Sequence, residues 1–231
     1  MNLPLSPRLR CCCDFVHPGD RVADIGCDHG YLSIYLLINQ IASSVIASDI
    51  NEQPLQSAVV NAERFGVRDK VRFYLSDGVR NIPREFDTLV CAGMGGDTMV
   101  SILSAAPWLE NAGYRLILQC QSKTPMLRKY LSHRGWHITT ERVLRDGRFL
   151  YTIMEVVYDP DAPRLTPAQH HFPPAMLADP TAETGEYFRR LLFSLKRAND
   201  GRGANADPEM VAAYEALNSD PQLAFLKEES Q

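Results

Sequence analysis

The sequence lacks the features that would place it in a membrane or a secretory pathway. No apolar run approaches the roughly 20 residues that span a bilayer, since the segment YLSIYLLI at residues 31–38 is far too short. The opening MNLPLSPRLR has no basic segment followed by an apolar one, so we expect no signal peptide. These absences predict a cytoplasmic protein without membrane association.

Cysteine is present, but not in the spacing of a metal site or a disulfide framework. The six cysteines stand at positions 11, 12, 13, 27, 91 and 120, and no two of them form a Cys-x-x-Cys pair. Zinc sites and small disulfide-rich domains need closer and more regular spacing. We therefore expect reduced thiols and no bound metal ion.

The chain also lacks the excess positive charge of a strongly electrostatic nucleic-acid binder, because its formal net charge is −4. The charge is unevenly distributed, since residues 123–148 contain seven basic residues against two acidic ones. This segment indicates either a local basic surface or the ordinary solvated faces of a helix and two strands. The seven residues are Lys123, Arg128, Lys129, Arg134, Arg142, Arg145 and Arg148.

Short β-branched runs alternate with helical stretches from residue 20 onward, and the last two runs follow each other without a helix between them. This order predicts an α/β fold with a doubly wound, mostly parallel sheet and one antiparallel edge strand. Phe149 and Tyr151 share a face of the last strand and are predicted to lie in the core. The predicted strands are residues 21–26, 44–50, 70–78, 86–96, 114–120, 136–144 and 148–158.

The composition changes after residue 158. Residues 159–180 contain six prolines, which predict an extended linker. Residues 186–198 have the spacing of an amphipathic helix, residues 200–206 predict a turn, and Asp207 with Pro208 is typical of the start of a second helix. We therefore predict three parts: a core domain at 1–158, a proline-rich linker at 159–180, and a helical hairpin at 181–231, here called the C-terminal appendage.

Aspartates and glycines follow four of the predicted strands. Because ligands bind at the carboxyl ends of parallel strands, where the strand order reverses, these residues predict one binding crevice. They are Asp24, Gly26, Asp28 and Gly30 after the first strand, Asp49 after the second, Asp77 and Gly78 after the third, and Gly93, Met94, Gly95 and Gly96 after the fourth.

The first of these turns favours a methyl donor over a dinucleotide. A pyrophosphate is bound by Gly-x-Gly-x-x-Gly at a helix N-terminus, whereas the chain has Asp24-x-Gly26-x-Asp28-x-Gly30. Two like charges about 4 Å apart repel by about 4 kcal/mol at an effective dielectric near 20, so this turn disfavours phosphate. S-adenosylmethionine carries an ammonium and a sulfonium and no phosphate, and we expect it as the cofactor.

Individual roles follow from position, and each has a simpler alternative. Asp49 is placed to accept hydrogen bonds from ribose hydroxyls, although it is also a plausible helix cap. Asp77 is placed to accept from the adenine amino group, although Asp77–Gly78 also fits an ordinary turn. His29 fits a structural role better than acid–base catalysis, and Tyr31 fits the core and the cofactor wall equally well.

Five segments together resemble the bacterial TrmK family, which methylates N1 of adenine 22 in tRNA. They are RVADIGCDHGYLSIYL, IASDINEQPLQSA, LSDGV, VCAGMGGDTMVSIL and LILQCQSKTPMLRKYLSHRGW. The resemblance covers roughly residues 5–158, and the linker with the appendage is similar to that family's C-terminal coiled coil. The chain departs from the family pattern near Ser33, where a proline is expected, and at residues 118–121, where Leu-Gln-Pro and an asparagine are expected.

The resemblance implies a Rossmann-like class I methyltransferase domain that uses S-adenosylmethionine, a tRNA adenine-N1-methyltransferase activity, and tRNA binding by the appendage. It implies that the cofactor is lined by Asp24, Gly26, Asp28, Asp49, Asp77 and Gly78, to which we add His29, Tyr31, Ile50, Gly93 and Met94. Candidate substrate-binding residues are Gly95, Gly96, Gln119 and Gln121 for the base and Lys123, Arg128, Lys129 and Arg145 for phosphates.

The chemistry of such a reaction needs alignment more than activation. Adenine N1 is a sufficient nucleophile toward a sulfonium methyl, so no nucleophilic cysteine is required. A carboxylate that accepts from the N6 amino group would raise the electron density at N1, and we assign this catalytic role to Asp28. The alternative is that Asp28 only orients the cofactor or caps the next helix.

Two other functions stay open at this point. One is a methyltransferase that acts on a small molecule or a protein, for which the basic segment and the appendage are incidental. The other is an RNA-interaction protein without turnover, with the appendage as its binding surface. In each case we expect a monomer.

Overall fold

The structure, a computed structural model, describes residues 3–202 and 207–227. The turn predicted at 200–206 therefore falls in part outside the described residues. The strands are β1 Arg21–Ile25, β2 Ser44–Asp49, β3 Val71–Leu75, β4 Thr88–Gly95, β5 Arg115–Ser122, β6 Trp136–Asp146 and β7 Phe149–Tyr158. The helices are α1 Pro7–Asp14, α2 Tyr31–Ile38, α3 Glu52–Arg64, α4 Gly96–Ser104, α5 Thr124–His133, α6 Pro167–His171, α7 Ala182–Arg202 and α8 Pro208–Ser219.

The seven strands form one sheet in the order β3-β2-β1-β4-β5-β7-β6. Strands β1 to β5 are parallel, and β7 is antiparallel to both β5 and β6. The predicted α/β fold, with a mostly parallel sheet and one reversed strand near its edge, is confirmed. The reversed strand is β7, and β6 outside it again runs parallel to β5. The strand order reverses between β1 and β4, which predicts the position of a binding site.

Helices cover both faces of the sheet, which explains why the strands are continuously apolar rather than alternating. One core cluster lies under α1, α2 and α3 and includes Cys12, Leu36 and Ala58. The other lies under α4 and α5 and includes Met99 and Leu127. Among residues 3–202 and 207–227, no helix combines the length and the apolarity that a bilayer crossing requires.

The sequence predicted that the proline-rich segment is extended, but part of this segment is helical. Thr166 caps α6 by accepting from the Gln169 N–H, while the Gln169 side chain accepts from the Thr166 N–H. Pro167 occupies the first helical position, where its missing N–H costs nothing. The prediction of extended chain is therefore wrong for Pro167–His171, and a 3-10 turn follows at Pro174–Leu177.

The C-terminal appendage shares a hydrophobic cluster with the sheet. Phe188 of α7 and Leu217 of α8 pack together with Phe172 of the proline-rich segment and Val143 of β6. The predicted start of α8 is confirmed, because Asp207 accepts a hydrogen bond from the Glu209 N–H and Pro208 is the first helical residue. The appendage is thus built onto the outer strand of the sheet.

Candidate active site

A cavity of about 340 Å³ opens at the carboxyl ends of β1, β2 and β4, where the strand order reverses. We call it the switch-point cavity. Its volume and position are typical of small-molecule sites in open α/β sheets. Nine of the residues predicted from the sequence line it: Asp24, Gly26, Asp28, His29, Tyr31, Asp49, Gly93, Met94 and Gln121.

The turn after β1 wraps over the end of β2. The Gly26 and Cys27 N–H groups both donate to the Ser48 carbonyl, at 2.8 and 2.9 Å. Gly26 has a φ of 71°, and a Cβ at this position would lie 2.3 Å from the Met94 Cε atom. Glycine is therefore favoured by the left-handed backbone, whereas the Met94 methyl group is the end of a flexible side chain and could move aside.

Asp24 lies at the buried floor of the cavity. Its carboxylate is 3% exposed and accepts a hydrogen bond of 2.6 Å from the Ser33 hydroxyl. Burial raises the pKa of the Asp24 carboxyl to about 6, and the Ser33 hydrogen bond offsets part of this effect. A cation placed beside Asp24 would favour its ionised form, so the floor of the cavity suits a positively charged ligand.

Asp49 connects the ends of β1 and β2. One of its oxygens accepts from the Asp28 N–H at 3.1 Å, and the other accepts from the Asn51 N–H at 2.9 Å. Each carboxylate oxygen can accept more than one hydrogen bond, so both retain capacity for a ligand hydroxyl. Asp49 therefore fits the predicted ribose acceptor and also fixes the backbone of Asp28.

Asp28 sits at the mouth of the cavity. It is a non-glycine residue with a φ of 50°, a conformation that aspartate and asparagine tolerate better than most residues. Its side chain is 69% exposed, and its Oδ1 atom lies 3.7 Å from the His29 Nε2 atom. Gly30, with no side-chain cap, is the N-cap residue of α2, so the alternative that Asp28 caps this helix is wrong.

Gln119 forms hydrogen bonds that connect the end of β4 to Arg8 of α1. The fully buried Gln119 accepts hydrogen bonds from the Gly93 N–H at 3.0 Å and from the Arg8 Nη1 atom at 3.2 Å. Direct base contact by Gln119 is therefore excluded by its burial, and that prediction is wrong. Arg8 lines the cavity and was missed, because no sequence pattern links α1 to the strand ends.

Several predicted residues lie outside the cavity. Asp77 is exposed and pairs with Arg80 at 3.3 Å, and Ile50 is 63% exposed without lining the cavity. Gly78 has a φ of 59° and lies against Ile102. Gly95 is the N-cap residue of α4, and a Cβ on Gly96 would lie 2.7 Å from the Lys123 carbonyl oxygen, so these glycines allow close packing of α4.

The basic segment is mostly neutralised by carboxylates. Arg128 is fully buried, pairs with Glu141 at 2.6 Å, and donates to the carbonyls of His170 and His171 at 2.9 and 2.8 Å. The prediction that Arg128 contacts phosphate is therefore wrong. Five others also have a carboxylate within 4 Å, in the pairs Lys123–Asp97, Lys129–Glu209, Arg134–Glu110, Arg142–Asp179 and Arg145–Glu186.

These pairs explain the unusual charge of residues 123–148. Asp179 precedes the appendage, while Glu186 and Glu209 belong to it, so basic side chains of α5 and β6 form ion pairs with the C-terminal part of the chain. Lys123, Lys129 and Arg145 are still partly exposed, but each is already paired. Six of the seven basic side chains are thus paired with carboxylates, which favours the second interpretation of the sequence, the solvated faces of a helix and two strands.

Comparison with known proteins agrees with the geometry. A family model described as a methyltransferase domain matches residues 5–154. The tRNA (adenine(22)-N(1))-methyltransferase of Bacillus subtilis is 33% identical over 163 residues, which cover 70% of this chain and 68% of that protein. The chain belongs to the bacterial TrmK family of methyltransferases.

Other TrmK-like proteins match over different lengths. The protein MG248 of Mycoplasma genitalium is 35% identical over 138 residues, which cover 58% of this chain but only 61% of MG248. A crystal structure of Streptococcus pneumoniae Sp1610 in complex with S-adenosyl-L-methionine superposes with a TM-score of 0.80 at 28% identity and covers 93% of this chain and 98% of that one. The structural match thus includes most of the appendage and covers a larger share of this chain than the MG248 alignment does.

Proposed function

We propose that the protein transfers a methyl group from S-adenosylmethionine to N1 of adenine 22 in tRNA. The observation that carries this proposal is the switch-point cavity, in which the buried Asp24 and Asp49 lie below the exposed carboxylate of Asp28. Membership of the TrmK family and the complex of Sp1610 with S-adenosylmethionine support the same activity. The cavity contains carboxylates where a dinucleotide would place phosphates, which argues against a hydride-transfer enzyme.

The charges of the cavity fit S-adenosylmethionine. Asp24 suits the ammonium, Asp49 suits the ribose hydroxyls, and Arg8 at the rim suits the carboxylate of the methionyl part. The proposed cofactor supplies an electrophilic methyl group. The chain supplies orientation and charge: the β1 turn and the β4 end enclose the donor, and Asp28 accepts from the N6 amino group to favour attack by N1.

Methylation of an unmodified tRNA transcript tests the activity. We expect a primer-extension stop at adenine 22, because N1-methyladenine blocks pairing, and no stop in a transcript with guanine at position 22. A stop at another adenine would keep the reaction type and refute the position. If the protein binds S-adenosylmethionine yet no labelled methyl enters total RNA, the RNA methyltransferase proposal fails.

Cofactor affinity should depend on pH through Asp24. Burial raises the pKa of this carboxyl to about 6 in the free protein, and an ammonium ligand favours the ionised form. Below about pH 6 the Asp24 carboxyl is protonated in the free protein, so cofactor binding must release this proton. Cofactor affinity should therefore fall by up to about tenfold for each pH unit below 6. Calorimetric titration with S-adenosylhomocysteine from pH 5 to 8 measures this slope. In Asp24→Asn binding should be weaker and the slope absent; an unchanged slope would contradict the assignment.

Within the described residues, the appendage offers two more unpaired cations, whereas all the basic residues of 123–148 except Arg148 are paired. Phe193 of α7 is 67% exposed and lies beside Lys196 and Arg197, neither of which has a carboxylate within 4 Å among residues 3–202 and 207–227. We infer that this face of α7 contacts the tRNA backbone, with the aromatic ring available for stacking. Lys196 and Arg197 therefore take the place of the paired residues Lys123, Lys129 and Arg145 as candidate phosphate contacts.

Charge reversal tests the appendage better than deletion, because removing residues 181–231 would expose the shared cluster around Phe188. We expect Lys196→Glu with Arg197→Glu to weaken tRNA binding about tenfold or more and to reduce its salt dependence, with cofactor affinity unchanged. Arg64→Glu with Lys70→Glu, at the opposite edge of the sheet, is the matched control. Equal loss in both double variants would indicate a general charge effect rather than a binding face.

We also infer that the protein is a cytoplasmic monomer. We infer that it needs no metal ion, because methyl transfer from a sulfonium to N1 requires alignment and not a Lewis acid. Light scattering at micromolar concentration tests the monomer, and activity in the presence of a strong chelator tests the absence of a metal requirement. A dimer, or loss of activity with the chelator, would contradict them.

A further inference from the structure

The tip of the β6–β7 hairpin carries aromatic rings and a cation at the surface. Phe149 is 51% exposed, so the prediction that it lies in the core is wrong. Tyr151 is partly exposed, and the centroids of the two rings lie 6.2 Å apart. The guanidinium carbon of Arg148 lies 4.9 Å from the centroid of the Phe149 ring. We call these three residues the hairpin platform.

The hairpin platform lies at the same edge of the sheet as the switch-point cavity. The last pair of the antiparallel β5–β7 ladder joins Cys120 to Thr152, so Tyr151 comes beside Gln121 on the neighbouring strand. Gln121 lines the cavity. Paired strands lie about 4.8 Å apart, so the backbone of Tyr151 lies about one strand spacing from that of Gln121 in the cavity wall. Phe149 is two residues nearer the hairpin turn and lies further from the cavity along the same strand.

One arginine connects the cavity to the platform. Arg8 lines the cavity, and its Nε atom lies 3.6 Å from the Asp146 carboxylate. Asp146 pairs with Phe149 across the hairpin, and Gly147, with a φ of 61°, turns the chain between the two strands. The tip of the hairpin is therefore held beside the rim of the cavity.

Arg148 differs from the other basic residues of its segment. Each of the other six has a carboxylate within 4 Å, whereas Arg148 has none among the part of the chain that the structure describes. Its contact is the face of Phe149. An unpaired guanidinium beside exposed aromatic rings is the combination that binds unstacked nucleotides, with the base on the ring and the phosphate on the cation.

We propose that the hairpin platform binds a nucleotide of the RNA substrate that neighbours the target adenine. Its base stacks on Phe149 and Tyr151, and Arg148 contacts its phosphate. This proposal rests on the proposed RNA methyltransferase activity. The target base must leave its stack to reach the methyl donor, and its neighbours lose stacking when it does. The platform replaces that stacking at the rim of the cavity.

Steady-state kinetics on unmodified tRNA test the platform. Phe149→Ala should raise the KM for tRNA by about 5- to 150-fold, the effect of losing one base–aromatic stack, with cofactor affinity unchanged. Phe149→Tyr should restore the wild-type KM, whereas Phe149→Leu, which keeps an apolar side chain without a π face, should not. A 2-aminopurine probe beside adenine 22 should be quenched by the wild type and less by Phe149→Ala.

Matched controls separate the platform from a general surface effect. Ile38→Ala removes an exposed apolar side chain at the end of α2, and Arg64→Ala removes a guanidinium that lies 5.9 Å from the Phe65 ring. Arg64 lies at the end of α3 near the edge strand β3, and Ile38 lies at the end of α2 opposite Tyr31, which lines the cavity. Both variants should keep the wild-type KM, while Arg148→Ala should raise it.

Three outcomes would overturn the proposal. The first is a KM for tRNA that in Phe149→Ala stays within twofold of the wild-type value, while the wild type is active. The second is an equal rise of this KM in the control variants. The third is that Phe149→Ala changes the oligomeric state and leaves the KM unchanged. If the wild type itself methylates no RNA, the proposed function has failed, and this failure is distinguishable because it precedes any effect of the variants.

Discussion

Replacing Asp28 by asparagine should reduce the turnover number for tRNA methylation by at least about 100-fold, the scale of a lost acid–base or carboxylate contribution. Affinity for S-adenosylmethionine should stay within about tenfold. Asparagine tolerates the φ of 50° at this position and keeps the backbone N–H that donates to Asp49. The variant therefore removes the charge of the carboxylate and preserves the shape of the turn. Single-turnover kinetics with pre-bound cofactor measure the chemical step.

Asp69→Asn is the control for Asp28→Asn. Both residues are exposed aspartates, but Asp69 lies in the 3-10 turn before β3, at the end of the strand away from the cavity. We expect the turnover and cofactor affinity of Asp69→Asn to match the wild type. If Asp28→Asn loses cofactor affinity by far more than tenfold, Asp28 is a cofactor-binding residue and the catalytic assignment is wrong. Turnover close to the wild type would exclude both roles.

Replacing Arg128 by methionine should destabilise the protein by about 3–5 kcal/mol, because the carboxylate of Glu141 would remain buried without a partner. For a chain of this size, that loss corresponds to a decrease in melting temperature on the order of 10 °C. The two carbonyls of His170 and His171 would also lose their donor. Thermal unfolding monitored by circular dichroism measures the change.

A double variant and an exposed pair make the test of Arg128 specific. Arg128→Met with Glu141→Met should be more stable than either single variant, because no unpaired charge remains in the interior. Arg134→Met removes an arginine of the same region from an exposed pair with Glu110, and we expect little change in melting temperature. A small effect of Arg128→Met, comparable to that of Arg134→Met, would show that the buried pair does not stabilise the fold.

The fold was predictable because hydrophobic periodicity is a local signal, and the cavity was predictable because parallel topology brings strand ends together. Asp24, Asp28 and Asp49 lie at or just after the carboxyl ends of β1 and β2, on one side of the reversal of strand order between β1 and β4. Asp77 follows β3, the outermost strand on that side, and does not line the switch-point cavity, so its contact with the adenine amino group stays a prediction. The strand order decides how near each of these residues lies to the cavity, and the sequence does not give it directly.

The charge pattern was misleading for a related reason. Four of the six acidic partners of residues 123–148 come from α4, from the proline-rich segment and from the appendage, and no spacing rule predicts such distant pairs. Ser33 illustrates the same limit: it departs from the family pattern, yet its hydroxyl donates to Asp24 and adjusts the floor of the cavity. The exposure of Phe149 depends on how far the hairpin extends beyond β5, which alternation along a strand does not reveal.

The shared cluster of Val143, Phe172 and Phe188 has a consequence for how the protein selects its substrate. Because the appendage and the sheet are stabilised by the same buried contacts, they should unfold in one cooperative transition. The separation between the cations of α7 and the switch-point cavity is then fixed by the folded state itself. Under the proposed function, this fixed distance would restrict methylation to RNAs whose backbone reaches α7 while the target base reaches the cavity.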